Sequence, residues 1–225
     1  MKSIVTVVVL AILLVSCNTS GKSENKDQIS AEGDSGTPAI TSNEETPDLE
    51  EITTDEALIA TALMAAPKES RDGCTVIGFN MAGEFVTLKE GSNDLICLAD
   101  DPKREGFNAA CYHKDMEPFM ARGRELRAEG KTAGEIFNIR EEEAKSGKLP
   151  MGKAGSTLHI YYGKSNRYNP ETSVVDGAKY RYVVYMPWAT SESTGLPEKP
   201  IAPNHPWIMN PGTHRAHLMI SPINE

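Results

Sequence analysis

Between residues 18 and 50 the chain has almost nothing to bury. Glu24, Asp27, Glu32, Asp34, Glu44, Glu45, Asp48 and Glu50 are set against only Lys22 and Lys26, and the positions between them are mostly Ser, Thr, Gly, Asn and Pro. A segment of this kind cannot offset the entropy of ordering it, so residues 17–50 read as a disordered acidic tether that holds a folded part away from its point of attachment. Everything that packs is then expected in residues 51–225, enough for one domain with one sizeable core. The formal charge of −9 falls largely in the tether, leaving the domain mildly acidic. That balance argues against nucleic acid as a partner, because nonspecific binding to phosphates needs a cationic face.

Upstream of the tether, Met1-Lys2-Ser3 carries one positive charge, and residues 4–15 are apolar except for Thr6. This is the layout of an export signal, and the run is shorter than the ~20 apolar residues that cross a bilayer. The residues that close it, Leu14-Val15-Ser16-Cys17, followed at once by polar Asn18-Thr19-Ser20-Gly21, resemble the lipobox of bacterial lipoproteins. The resemblance covers about twenty residues and implies cleavage after residue 16 and lipid modification of Cys17. It further implies an extracytoplasmic protein whose first partner is a bacterial membrane, the outer membrane in a Gram-negative cell. Several acyl chains anchor firmly where one binds marginally. None of this implies an activity.

Within the domain, Thr53-Thr54-Asp55-Glu56 has the form of a capping box with Thr53 as cap, and Leu58, Ile59, Ala62, Leu63 and Ala66 follow at helical spacing up to Pro67. Residues 74–79, 85–89 and 95–98 read as strands separated by turn-forming residues, with an antiparallel meander as the simplest arrangement. From residue 112 to 147 the pattern becomes helical, in two pieces broken at Gly130-Lys131, the second opened by a capping box of Thr132 and Glu135. Residues 140–143 read as a solvated face. Strands return at residues 157–162, 180–186 and 216–220, and the last two are joined by a long Pro- and Trp-containing loop. The order of strands, helices and strands predicts an α+β fold in a single domain, with an antiparallel sheet and a central helical pair.

The residues able to carry chemistry are few. With Cys17 taken by lipid, Cys74, Cys97 and Cys111 remain, enough for one disulfide and one leftover thiol. Pairing Cys97 with Cys111 is preferred, and Cys74 with Cys97 is the alternative. His205, His214 and His217 crowd one stretch, and with His113, and Asp115 or Glu117 nearby, they form a metal-site candidate. No H-E-x-x-H or paired C-x-x-C pattern accompanies them, and packing histidines around a Pro-Gly turn are the plainer reading. Met116 and Met120 read as core filling around Phe119, and Asp100-Asp101 with Glu105 as a solvated acidic turn. No phosphate-binding glycine loop, G-x-S-x-G elbow or S-x-x-K motif occurs. Trp188, Trp207 and Tyr168 sit in or beside predicted loops, where their rings could stack on a ligand. The sequence therefore points first to a non-catalytic domain without a cofactor that binds a small molecule, a glycan or another envelope protein. A metal-dependent enzyme or metal carrier using His214 and His217 is the alternative.

Overall fold

The computed structural model describes residues 48–222. The export signal, Cys17 and most of the tether lie outside the described residues. In chain order the elements are β1 (Glu50–Glu51), α1 (Asp55–Leu63), β2 (Thr75–Phe79), β3 (Phe85–Lys89), β4 (Leu95–Leu98) and β5 (Phe107–His113). There follow α2 (Glu117–Ala128), α3 (Ala133–Lys145), β6 (Thr157–Gly163), β7 (Arg167–Tyr168), β8 (Lys179–Tyr185), α4 (Ser191–Thr194), β9 (Trp207–Met209) and β10 (His217–Ile220). Eight strands form one sheet in the order β3-β2-β4-β5-β6-β8-β10-β9, and the fold is α+β, as the sequence predicts. Glu50, the last residue assigned to the tether, is already paired with Tyr168 in a small β1–β7 ladder, and Arg167 ties the preceding carbonyl of Leu49 at 2.7 Å.

The sheet is buried on both faces, and β5 shows why. Its side chains alternate, as those of any strand must. Phe107, Ala109 and Cys111 join a core with Leu58 and Ala62 of α1, whereas Ala110 and Tyr112 join a second core with Phe119 of α2, Leu158 and Tyr185. The sequence pattern marks no strand here, and Asn and Ala are poor strand formers. At this position their small size lets helices close on both sides, and burial outweighs propensity.

The expected meander is corrected at β4. This strand pairs parallel with β2, on the side of β2 away from β3, so the chain crosses the start of β2 between Lys89 and Leu95. Parallel neighbours normally need a crossover of a dozen residues or more. Here residues 80–94, which include β3, make that connection, and its last leg can cross β2 because Gly91 passes directly over the backbone: a Cβ at this position would lie 2.3 Å from Thr75 N and 2.6 Å from Gly73 O. The amides of Ser92 and Asn93 then both donate to Gly73 O, at 2.8 and 2.9 Å.

The helices follow their local signals with one shift. Thr54, not Thr53, caps α1, its side chain accepting from Ala57 N at 3.1 Å. The helix stops at Leu63, short of Ala66. Thr132 and Glu135 form the expected capping box of α3. The long C-terminal segment is more structured than a loop, since it contains α4 and adds β9 to the sheet beside β10. Among the described residues no helix is long and apolar enough to cross a membrane.

Because Gly91 meets backbone rather than a flexible side chain, Gly91→Ala is expected to lower stability by ~3 kcal/mol or more. Urea unfolding of the variant checks this, and an unchanged midpoint would contradict the account of the crossover.

Candidate anion-binding groove

The two central helices are clamped by a carboxylate fork. Arg122 of α2 donates to both oxygens of Glu143 on α3, at 2.8 to 3.0 Å. This pairing fastens to α2 the face of α3 that also carries Ile136 and Arg140, which lie one turn apart and are both buried. Arg140 is only 8% exposed, so the expectation of a solvated face at residues 140–143 fails at its first residue. The sequence signal misleads because Arg140 heads the charged run Arg-Glu-Glu-Glu, while its burial is set by the i, i+4 relation to Ile136.

The guanidinium of Arg140 lies flat on α2. Its Cζ is 3.3 Å from the centroid of the Phe119 ring, a cation–π stack. One turn further along α2, Gly123 leaves the space it occupies: a Cβ there would come within 2.9 Å of Arg140 Nη1. No hydrogen bond or ion pair to Arg140 occurs among the described residues, and its Nε and Nη2 are buried without a partner. Arg215, from the turn before β10, likewise has a buried Nε with no partner. Burial, reinforced by the positive charges of Arg215 and Arg127, pushes the Arg140 guanidinium down to about 10, with Tyr185 and Glu143 acting the other way. The group is still a cation at neutral pH, and holding it there costs on the order of 3 kcal/mol.

These groups line one hollow. Leu98, Asn108, Ala110, Leu158 and Ile160 form its floor from β4, β5 and β6, while Met120, Gly123, Arg124 and Arg127 from α2 and Ile136 and Arg140 from α3 form its wall, with Tyr185 and Arg215 at its end. Its volume is ≈ 410 Å³. Arg124 is occupied, paired with Glu117 and donating to the Tyr112 hydroxyl at 3.3 Å. Arg127, Arg140 and Arg215 have no ion-pair partner among the described residues. Leu98, Asn108, Arg124 and Arg127 also line a second hollow of ≈ 360 Å³, which therefore adjoins the first. This second hollow reaches the edge-packed pair Phe79 and Phe85, both exposed, with Arg124 over the Phe85 ring at 5.1 Å. Together their lining is apolar along the strands, cationic at Arg127, Arg140 and Arg215, and aromatic at Phe79 and Phe85.

Asp100 lines the second hollow and is buried rather than solvated, which corrects the expectation of an exposed acidic turn. Its carboxylate accepts from Asn108 N at 2.9 Å, yet burial outweighs that bond and raises it to about 6.

The residues singled out from sequence lie largely elsewhere. His214 is fully buried between Phe119 and Phe137, and its Nδ1–H donates to Glu141 Oε2 at 3.1 Å. His217 is buried against Tyr185, and its Nδ1–H donates to Arg215 O at 2.6 Å. Burial lowers both histidines and favours the neutral ring; for His214 the nearby Arg140 adds to this while Glu141 opposes it. His113 sits apart, near Asp94 and Asp115 at 3.9 and 3.6 Å, and His205 lies in the C-terminal segment with its Nδ1 unpartnered. Among the described residues these four histidines are not gathered into any convergent set of three or more ligand atoms; Cys74, Cys97 and Cys111 are. All three cysteines are free thiols. The aromatic candidates are dispersed as well: Tyr168 packs against the α1-side core, Trp207 against the α2-side core, and Trp188 is exposed at a left-handed φ of 69°. A positive φ is unusual for so bulky a residue.

The arginines were missed in the sequence because no motif marks them. The one available signal is Gly123 inside a helical pattern, a residue that weakens a helix unless a neighbour needs the room. The fold is an α+β domain with a cationic, partly apolar cleft. No protein-family model, no curated protein and no solved structure matches the chain.

The state of Asp100 makes stability depend on pH. Its folded value, about 6, lies above its ordinary 3.8, so the folded state favours the protonated acid. That contribution is complete below pH ~4 and is lost as pH rises through ~6, with a size up to ~3 kcal/mol. Asp100→Asn keeps an acceptor for Asn108 N and cannot ionise. Between pH 4 and 7 the parent should therefore lose stability relative to the variant in urea unfolding. A stability difference that stays constant over this range would contradict the assignment.

Proposed function

We propose that this chain is a lipid-anchored envelope protein whose domain binds a small amphipathic organic anion in the groove, without catalysis. The observation that carries the reading is Arg140, a buried guanidinium whose Nε and Nη2 have no partner. A buried cation normally has a counter-charge, because leaving one unpaired is among the costlier things a fold can do. Arg140 and Arg215, each with a buried donor that lacks a partner, both line one hollow. Planar guanidinium forks match carboxylate and phosphate oxygens in geometry as well as charge.

The rest of the cleft selects the body of the ligand. Ala110, Leu158 and Ile160 offer an apolar bed, and Phe79 and Phe85 an aromatic rim, so an acyl chain or ring attached to the acidic group would be buried along its length. Membrane attachment rests on the lipobox-like Leu14-Val15-Ser16-Cys17 and on the acidic segment that would separate the groove from the bilayer.

Calorimetric titration with decanoate, decanol and inorganic phosphate tests the binding reading. Decanoate should bind saturably at one site and decanol should not, with phosphate weaker than decanoate. Arg140→Met and Arg215→Met should each weaken decanoate at least tenfold, or ~1.4 kcal/mol. Equal binding of decanol, or no binding of either anion at millimolar concentration, would overturn it. For the anchor, the parent should take up a palmitate analogue in cells, and Cys17→Ser should remain an unlabelled precursor or appear soluble. A Cys17→Ser protein that is processed and still partitions into membranes would rule the lipid anchor out.

A further inference from the structure

On the opposite face of the sheet from the groove, the fold gathers the three cysteines of the domain into one place. Cys74 leads into β2, Cys97 is in β4 and Cys111 in β5, and the register sets Cys97 directly across from Cys111 and beside Val76. The three sulfur atoms all lie within 4.8 Å of one another. Relative exposures of 0%, 0% and 2% place them wholly inside the core packed against α1. Sequence separation gives no hint of this meeting, which depends on the crossing at Gly91 that sets β4 beside β2.

The surroundings are specific about what the cluster can accept. Among the described residues no histidine or carboxylate joins the sulfurs. The nearest polar partners belong to Cys74: its Sγ–H donates to Ser70 O at 3.2 Å, and Asn93 Nδ2 points at the same sulfur from 3.9 Å while donating to Ser70 O at 2.8 Å. The Asn93 side chain thus stands behind one sulfur in the manner of the outer partners that orient metal ligands. A disulfide would use two of the three sulfurs and leave the third without a role. A closed structural zinc site needs four protein ligands, and a fourth is missing. Three converging sulfurs suit a soft monovalent ion, because soft thiolate ligands select copper(I).

We propose that Cys74, Cys97 and Cys111 form a three-sulfur site for copper(I). Each sulfur that binds Cu⁺ does so as thiolate and releases its proton to solvent, so three ligands release three protons, the loaded site carries a net charge of about −2, and no redox change is required. With the sulfurs sealed under the Lys68–Gly73 turn and the crossover loop at Gly91 and Asn93, the ion enters as the chain folds or when that loop opens. The site lies on the other face of the sheet from the groove, and its fate is independent of the anion-binding reading.

The test uses the full chain carrying Cys17→Ser, so that only the three core thiols can bind. The reduced protein is titrated with Cu(I) buffered by bicinchoninate without oxygen, once folded and once while refolding, and the product is weighed by native mass spectrometry. One equivalent of copper should be withdrawn from the chelator in at least one of the two arms, with only sulfur neighbours in X-ray absorption. Cys74→Ala, which leaves both sheet cysteines in place, and Cys111→Ala should each weaken retention tenfold or more, with folding of each variant checked by circular dichroism. Retention unchanged in folded Cys74→Ala would overturn the three-sulfur site. So would no uptake in either arm, or recovery of the native protein from cells as a Cys97–Cys111 disulfide.

Discussion

The burial of β5 on both faces is the constraint from which the rest of this domain follows. A strand in that position must send alternate side chains into two different cores, and the small residues Ala109, Ala110 and Cys111 let both cores approach closely. Its odd-numbered side chains build the α1 side, where Cys111 meets Cys97 and Cys74. Its even-numbered side chains build the α2 side, where Asn108 and Ala110 form part of the groove floor. A slip of one residue in the register with β4 or β6 would exchange these sets and destroy both arrangements at once.

On the groove side, the packing of α2 and α3 is best understood through what it tolerates. The Arg122–Glu143 fork satisfies one arginine of the helical pair fully, and the Arg124–Glu117–Tyr112 cluster satisfies a second. The same pair of helices leaves Arg140 buried with no hydrogen-bonded acceptor, with Arg215 and Arg127 near its charge and Glu143, already held by Arg122, the nearby acid. Gly123 gives up helix propensity to make room for it. Protein cores remove such features unless they have a use, and a ligand that supplies the missing negative charge is the simplest use consistent with a cleft of ≈ 410 Å³ beside it.

What could be read in the sequence was what local chemistry determines. The capping box at Thr132 and Glu135, the two central helices, and the strands around residues 157–162, 180–186 and 216–220 all carry signals within a few residues of themselves, and the structure has them. What could not be read depends on partners distant in the chain. β5 lacks strand propensity and is a strand because of its neighbours. β4 turns parallel because Gly91 permits a crossing that ordinary turn statistics do not anticipate. Arg140 looked like the start of a charged surface because helical phase relative to the sheet cannot be deduced from a run of Arg and Glu. His214 and His217 drew attention through their closeness in sequence, whereas the thiols that do converge are spread from residue 74 to residue 111.

The central claim is that Arg140 is kept for a ligand and not for the fold. The most direct measurement is the unfolding free energy of Arg140→Met against the parent at neutral pH with no added anion. Methionine keeps much of the packing against Phe119 and removes the unpaired charge, so the variant should be as stable as the parent within ~1 kcal/mol, or more stable. A loss of several kcal/mol would mean that the guanidinium holds the domain together, and would contradict the account.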